Sequence, residues 1–123
     1  MSSSQLSRNE LLKTAIILED FGKLQKAARY YARAQEYVKS AKLYEGIGDF
    51  SKAGDSYYAA GKLPKALKMY LRAGRKDEKI ALLYEKTGNF RKAADLWKSL
   101  EHIRNWKRCL QQSRQLSLFD LKP

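Results

Sequence analysis

Residues able to act as nucleophiles, acids or metal ligands are few and scattered along this chain. Cys109 is its single cysteine and His102 its single histidine. One thiol and one imidazole cannot build a zinc site of the usual composition. Cys109 falls at core spacing among apolar residues, where a cysteine acts as a small hydrophobe rather than a nucleophile. The carboxylate pairs Glu19-Asp20 and Asp77-Glu78 lie near expected helix boundaries, where acids serve as solvated caps. The glycines are isolated at thirteen-residue intervals, so no phosphate-cradling loop is present. No catalytic residue, metal, cofactor or small-molecule substrate is expected, and the chain does not read as an enzyme.

Charge and aromatic rings are the remaining chemistry. The net charge is +12, and residues 22–76 hold thirteen basic against four acidic groups, a local +9. Residues 1–21, 77–110 and 111–123 carry −1, +3 and +1. Lys26, Lys39, Lys52, Lys65, Lys79 and Lys92 recur at a regular interval and read as a solvated edge. The surplus consists of Lys23, Arg29, Arg33, Lys42, Lys62, Lys68, Arg72, Arg75 and Lys76. These face few acids and suit a phosphate backbone or an acidic partner. Tyr31, Tyr44, Tyr57, Tyr70 and Tyr84 could stack bases, but their period reads better as core. Tyr37 and Tyr58 stay open between the two readings.

The elements that position these groups follow from one interval. Tyr31, Tyr44, Tyr57, Tyr70, Tyr84 and Trp97 form a column of thirteen-residue steps, with one fourteen-residue step after Tyr70. Gly48, Gly61, Gly74 and Gly88 form a second column with the same slip, a candidate bend at Arg75 to Lys79. Such self-similarity marks a repeat architecture. Apolar residues within each unit recur at i, i+3, i+6 and i+7, one face of a helix. The glycines close helices, Asp49, Asp77 and Asn89 suit N-caps, and Pro64 suits a first turn. Ser7-Arg8-Asn9-Glu10 reads as a capping box.

Eight helices are expected, at 7–20, 23–34, 36–47, 50–60, 63–73, 77–87, 90–100 and 102–112. Short turns make neighbours antiparallel, giving four hairpins stacked as an all-α right-handed solenoid over residues 1–110. Residues 111–123 form a separate tail.

Gly48-Asp49-Phe50-Ser51-Lys52-Ala53 and Gly88-Asn89-Phe90-Arg91-Lys92-Ala93-Ala94-Asp95-Leu96-Trp97 resemble the units of tetratricopeptide-like solenoids. Soluble NSF attachment proteins and the clathrin-type and intraflagellar-transport solenoids share such units. The resemblance covers residues 22–110, with 26–27 residues per pair rather than the 34 of the standard repeat. It implies a scaffold or adaptor that binds proteins. It does not carry over the peptide groove of the longer repeats.

The repeat stops after Leu110. Beyond it, Gln115-Leu116-Ser117-Leu118-Phe119 resembles the pentapeptide by which bacterial replication and repair proteins bind the sliding clamp, agreeing at all five positions. The resemblance implies that Leu118 and Phe119 fill an apolar pocket, helped by Leu116, with the Gln115 amide bonding at its edge. The related archaeal and eukaryotic box fits less well, since Leu121 and Lys122 stand where it has aromatics. The clathrin-box pattern fails at Lys122, where an acid is expected.

Three functions stay open on these grounds: a clamp-binding adaptor, a generic scaffold binding a protein on its concave face with the tail capping the last hairpin, and a sequence-independent nucleic-acid binder acting through residues 22–76. The polar N-terminus and the short apolar run Ala15 to Leu18 predict neither signal peptide nor membrane span. With a lone cysteine they point to the cytoplasm.

Overall fold

The computed structural model describes residues 5–120, with side chains through Leu116. It is all-helical: α1 (Arg8–Asp20), α2 (Leu24–Arg33), α3 (Tyr37–Gly46), α4 (Phe50–Ala59), α5 (Leu63–Arg72), α6 (Glu78–Lys86), α7 (Phe90–Ser99) and α8 (Ile103–Asp120). No strand occurs among the described residues. Seven of the helices start and stop within a residue of the expected bounds. The eighth does not: it was expected to end near 112 and continues to Asp120. Arg114 stands where the repeat would place its turn glycine, and Gln111 to Asp120 contains neither glycine nor proline, so nothing stops the helix.

The chain divides into two compact units, one up to Ala73 and one from Gly74 onward. The division falls beside the fourteen-residue step.

In the first unit each helix packs on the next, α1 through α5. Arg8 Nε at the start of α1 donates to the Ala34 carbonyl beyond the end of α2 at 3.0 Å, so these helices run antiparallel. The buried hydroxyls of Ser40 and Ser56 meet at 3.1 Å, symmetrically about the turn at Gly48, and set α3 against α4 the same way. Small residues make such approaches possible. Ala27, Ala28, Ala41, Ala53 and Ala66 are fully buried. At Gly54 a Cβ would stand 2.7 Å from the Tyr70 ring, so that position excludes any side chain.

The turns are copies of one another. After each helix the next-but-one N–H reaches back to the carbonyl of the aromatic column: Lys23 to Leu18 at 2.8 Å, Glu36 to Tyr31 at 2.8 Å, Asp49 to Tyr44 and Lys62 to Tyr57 both at 2.9 Å. This is the Schellman closure, which needs one residue in the left-handed region. Gly22, Gly48 and Gly61 supply it with φ of 76–82°. Gln35 stands in that column without glycine and still adopts φ 65°.

At the N-terminus, Ser7 and Glu10 form the expected capping box. Asp49 caps α4 and Asp77 caps α6 through their carboxylates, whereas the Asn89 side chain caps nothing and donates to Thr87 instead.

In the second unit α7 packs against both α6 and α8. Its core is Ala81, Ala93, Ala94, Trp97 and Cys109, flanked by half-buried Tyr84, Leu96, Leu100, Trp106 and Leu110. The aromatic column is therefore buried as expected except at Tyr84. The column Leu24, Tyr37, Phe50, Leu63 and Phe90 is only half-buried, and Ile103 is exposed. Those residues begin their helices, where packing on one side ends.

Candidate interaction surfaces

A pattern that sequence reasoning missed organises the aromatic column. Tyr31 Oη donates to Glu19 at 2.8 Å, Tyr57 Oη to Glu45 at 3.1 Å, and Trp97 Nε1 to Glu85 at 2.7 Å. Each acid stands twelve residues before its ring, a regularity visible in the sequence once the ring is known to need a partner. Tyr70 reaches Asp55 at 2.5 Å. Tyr44 has Ala32 at the acid position, and the Arg29 charge acts on its hydroxyl instead.

Burial first, and the Glu19 bond second, push the Tyr31 hydroxyl up to about 12. Burial likewise raises Tyr57, with Glu45 adding to it, and raises Tyr44 against the opposing pull of Arg29. These tyrosines are neutral rings locked in the core, and Tyr31 and Tyr57 donate from it. They offer no face for base stacking.

The lysine ladder is tied to the same rings. Lys39 lies 5.7 Å from the centre of the Tyr31 ring, Lys52 5.8 Å from Tyr44, and Lys65 5.6 Å from Tyr57. Ammonium groups at that distance are held by the ring quadrupole. Lys26 lacks such a ring, because Leu18 occupies the column thirteen residues before Tyr31.

Of the surplus cations, Arg33 stacks 5.1 Å from Tyr30 and Arg72 4.1 Å from Phe50. Lys23 and Lys26 line a shallow cleft with Gly22, Leu24, Gln25 and Ile47. Lys42 lines another with Glu19, Tyr31, Lys39 and Leu43. Lys62, Lys68 and Lys76 are exposed. Arg75 differs: its guanidinium donates to Asp77 at 2.7 and 3.1 Å. Helical spacing gathers Lys26, Arg29 and Arg33 on one face of α2, and Lys65, Lys68 and Arg72 on one face of α5. On α4 the equivalent face holds Lys52, Asp55 and Ala59, and the basic series breaks.

The second unit uses its charges differently. Glu85 accepts from Trp97 and from both terminal nitrogens of Arg108, which tie α6 to α7 and to α8. Burial pushes the Glu85 carboxyl up, but the Arg108 and Trp97 bonds outweigh it and hold it below the ordinary value. Asp77 is depressed in the same way by Arg75 and backbone N–H groups against its burial. His102 Nε2 meets Glu78 at 2.9 Å, and its ring sits edge-on to Trp97. Cys109 is fully buried, and burial followed by the Glu85 charge raises its thiol, which therefore stays protonated. Among the described residues no group of three His, Cys, Asp or Glu side chains converges, and no helix is long and apolar enough to cross a membrane.

The clamp-type pentapeptide lies in the last turns of α8. Gln115 and Leu116 are exposed, Leu116 at 48%. The side chains of Ser117, Leu118 and Phe119 lie outside the described ones, as do Leu121 and Lys122 altogether. No residue from Gln111 to Leu116 is buried. Compared with known proteins, the chain matches no family model, no curated protein and no solved structure.

Proposed function

We propose that this chain is a non-enzymatic, cytoplasmic adaptor: a tetratricopeptide-like helical scaffold that docks on a bacterial sliding clamp through Gln115-Leu116-Ser117-Leu118-Phe119, in replication or repair. The observation that carries the reading is the exposure of Gln115 and Leu116 on helical turns that no core residue anchors. Arg114, Gln115 and Leu116 are all exposed, and a helix end whose described side chains face water is marginal. It can open into a peptide without disturbing the packing around Cys109. The polar anchor and first leucine already face solvent, so docking requires no unpacking of either. A leucine capping the last hairpin would be covered, and Leu116 is not. A few apolar anchors entering a pocket carry most of the affinity of such an interface.

Titration of the full-length chain with purified bacterial clamp, followed by calorimetry, tests the reading. Binding is expected, with Phe119→Ala weakening it at least tenfold and leaving the thermal melt unchanged. Absence of binding, or binding indifferent to Phe119→Ala and Gln115→Ala, overturns it.

A further inference from the structure

Arg33 and Arg72 are held by aromatic rings, while Arg8, Arg75 and Arg108 are held by carboxylates. The difference matters for what each can still bind. A guanidinium paired with a carboxylate has spent its charge and its planar fork. One resting on a ring keeps its charge and most donors, and the ring fixes its orientation beforehand.

Six of the seven acids of the first unit are committed elsewhere, all but the exposed Asp20 at the end of α1. Glu19, Glu45 and Asp55 accept from tyrosine hydroxyls, Asp49 caps α4, Glu10 closes the capping box, and Glu36 pairs with Arg8. Among the described residues, Lys26, Lys42 and Lys68 have neither acid nor ring as partner. Like charges at i, i+3 and i+7 weaken a helix, so gathering three cations on one face of α2 and three on α5 offsets part of what the ring contacts of Arg33, Lys65 and Arg72 contribute.

We propose that these faces, Lys26, Arg29 and Arg33 on α2 and Lys65, Lys68 and Arg72 on α5, bind the sugar-phosphate backbone of duplex DNA irrespective of sequence. Three cations at this spacing span roughly 10 Å of helix axis. That length meets successive phosphates of one strand, which a duplex presents at regular intervals. The duplex is favoured over a single strand because the periodic rings offer no ladder of stacking platforms: Tyr31, Tyr44, Tyr57 and Tyr70 are buried and most of their hydroxyls are engaged. The proposal does not rest on the reading of residues 115–119.

Anisotropy of a short labelled duplex of mixed sequence, titrated with the full chain, tests it. With about six phosphate contacts, affinity is expected to fall on the order of 10³-fold between about 50 and 200 mM salt. The double variant Arg33→Gln/Arg72→Gln is expected to weaken binding equally for unrelated sequences and to reduce the salt slope by about two. Lys68→Gln, which touches no ring, is expected to reduce it by about one without altering the melt. Arg91→Gln/Arg104→Gln in the second unit is the control and should change little. A salt-insensitive affinity overturns the proposal, as do variants that bind like the parent. So does equal or tighter binding of the corresponding single strand. Equal binding of polyglutamate would assign the surface to an acidic protein instead.

Discussion

The two units carry the same surplus of positive charge and dispose of most of it in different ways. Residues 1–73 hold thirteen basic and seven acidic groups, and residues 74–123 twelve and six, a net +6 in each. In the first, three acids bond to tyrosine hydroxyls, two cap helices, only Glu36 pairs with an arginine, and cations lie on rings. In the second, acids pair with Arg75, His102 and Arg108. Net charge therefore says little about which surface presents free cations. What decides it is whether the nearby carboxylates are spent on neutral donors or on charged ones.

Replacing the two equivalent acids should separate these uses most sharply. Glu85→Ala removes the acceptor of a buried indole N–H and of Arg108 together. An unsatisfied buried donor plus a broken, partly exposed ion pair is expected to cost about 2–3 kcal/mol. Glu45→Ala removes only the acceptor of the Tyr57 hydroxyl and should cost about 1 kcal/mol. Urea unfolding of both variants checks this, and equal losses would erase the distinction between the units.

The sequence reading reached the helices because the interval of thirteen fixes both the apolar face and the turn. Tyr31, Tyr44, Tyr57, Tyr70 and Trp97 are core, and Asp49 and Asp77 cap helices, as their spacing demands. It went astray where the stop signal is an absence. Glu101 lacks glycine and the helix turns there regardless, with its next N–H, that of His102, reaching the Trp97 carbonyl at 2.9 Å. Arg114 lacks glycine and the helix continues. What separates them is packing: Trp106 and Cys109 of α8 lie in or against the core that follows the turn at Glu101, whereas no residue from Gln111 to Leu116 is buried. The surfaces were legible as a list of cations but not as a surface, because ring and carboxylate partners cannot be told apart without contacts.

pH should then divide the units. Tyr31, Tyr44 and Tyr57 have hydroxyls raised above their ordinary value near 10, Tyr31 to about 12. Groups raised by folding contribute stability that is complete below about pH 10 and is lost as pH rises through the folded value. Glu85 and Asp77 are depressed, so their contribution is present above the ordinary carboxylate range and is lost as pH falls through the folded values. Cys109, raised like the tyrosines, adds a loss of the alkaline kind in the second unit. Urea midpoints followed by amide exchange in each unit should show first-unit helices loosening in alkali and second-unit helices in acid. Tyr31→Phe should blunt the alkaline loss and Glu85→Gln the acid one.

The smallest expected effect probes what the units share. Gln35 and Glu101 hold the same left-handed turn conformation, φ 65° and 63°, that glycine supplies at Gly22, Gly48, Gly61, Gly74 and Gly88. A side chain there costs roughly 1–2 kcal/mol relative to right-handed geometry, and glycine returns part of that as unfolded-state entropy. Gln35→Gly and Glu101→Gly should each stabilise by about 0.5 kcal/mol, read as a higher thermal midpoint. Gains of similar size would mean that the turn is one device reused in both units. A gain at Glu101 alone would tie it to packing around Trp97 and His102, whose carbonyl and N–H close that turn.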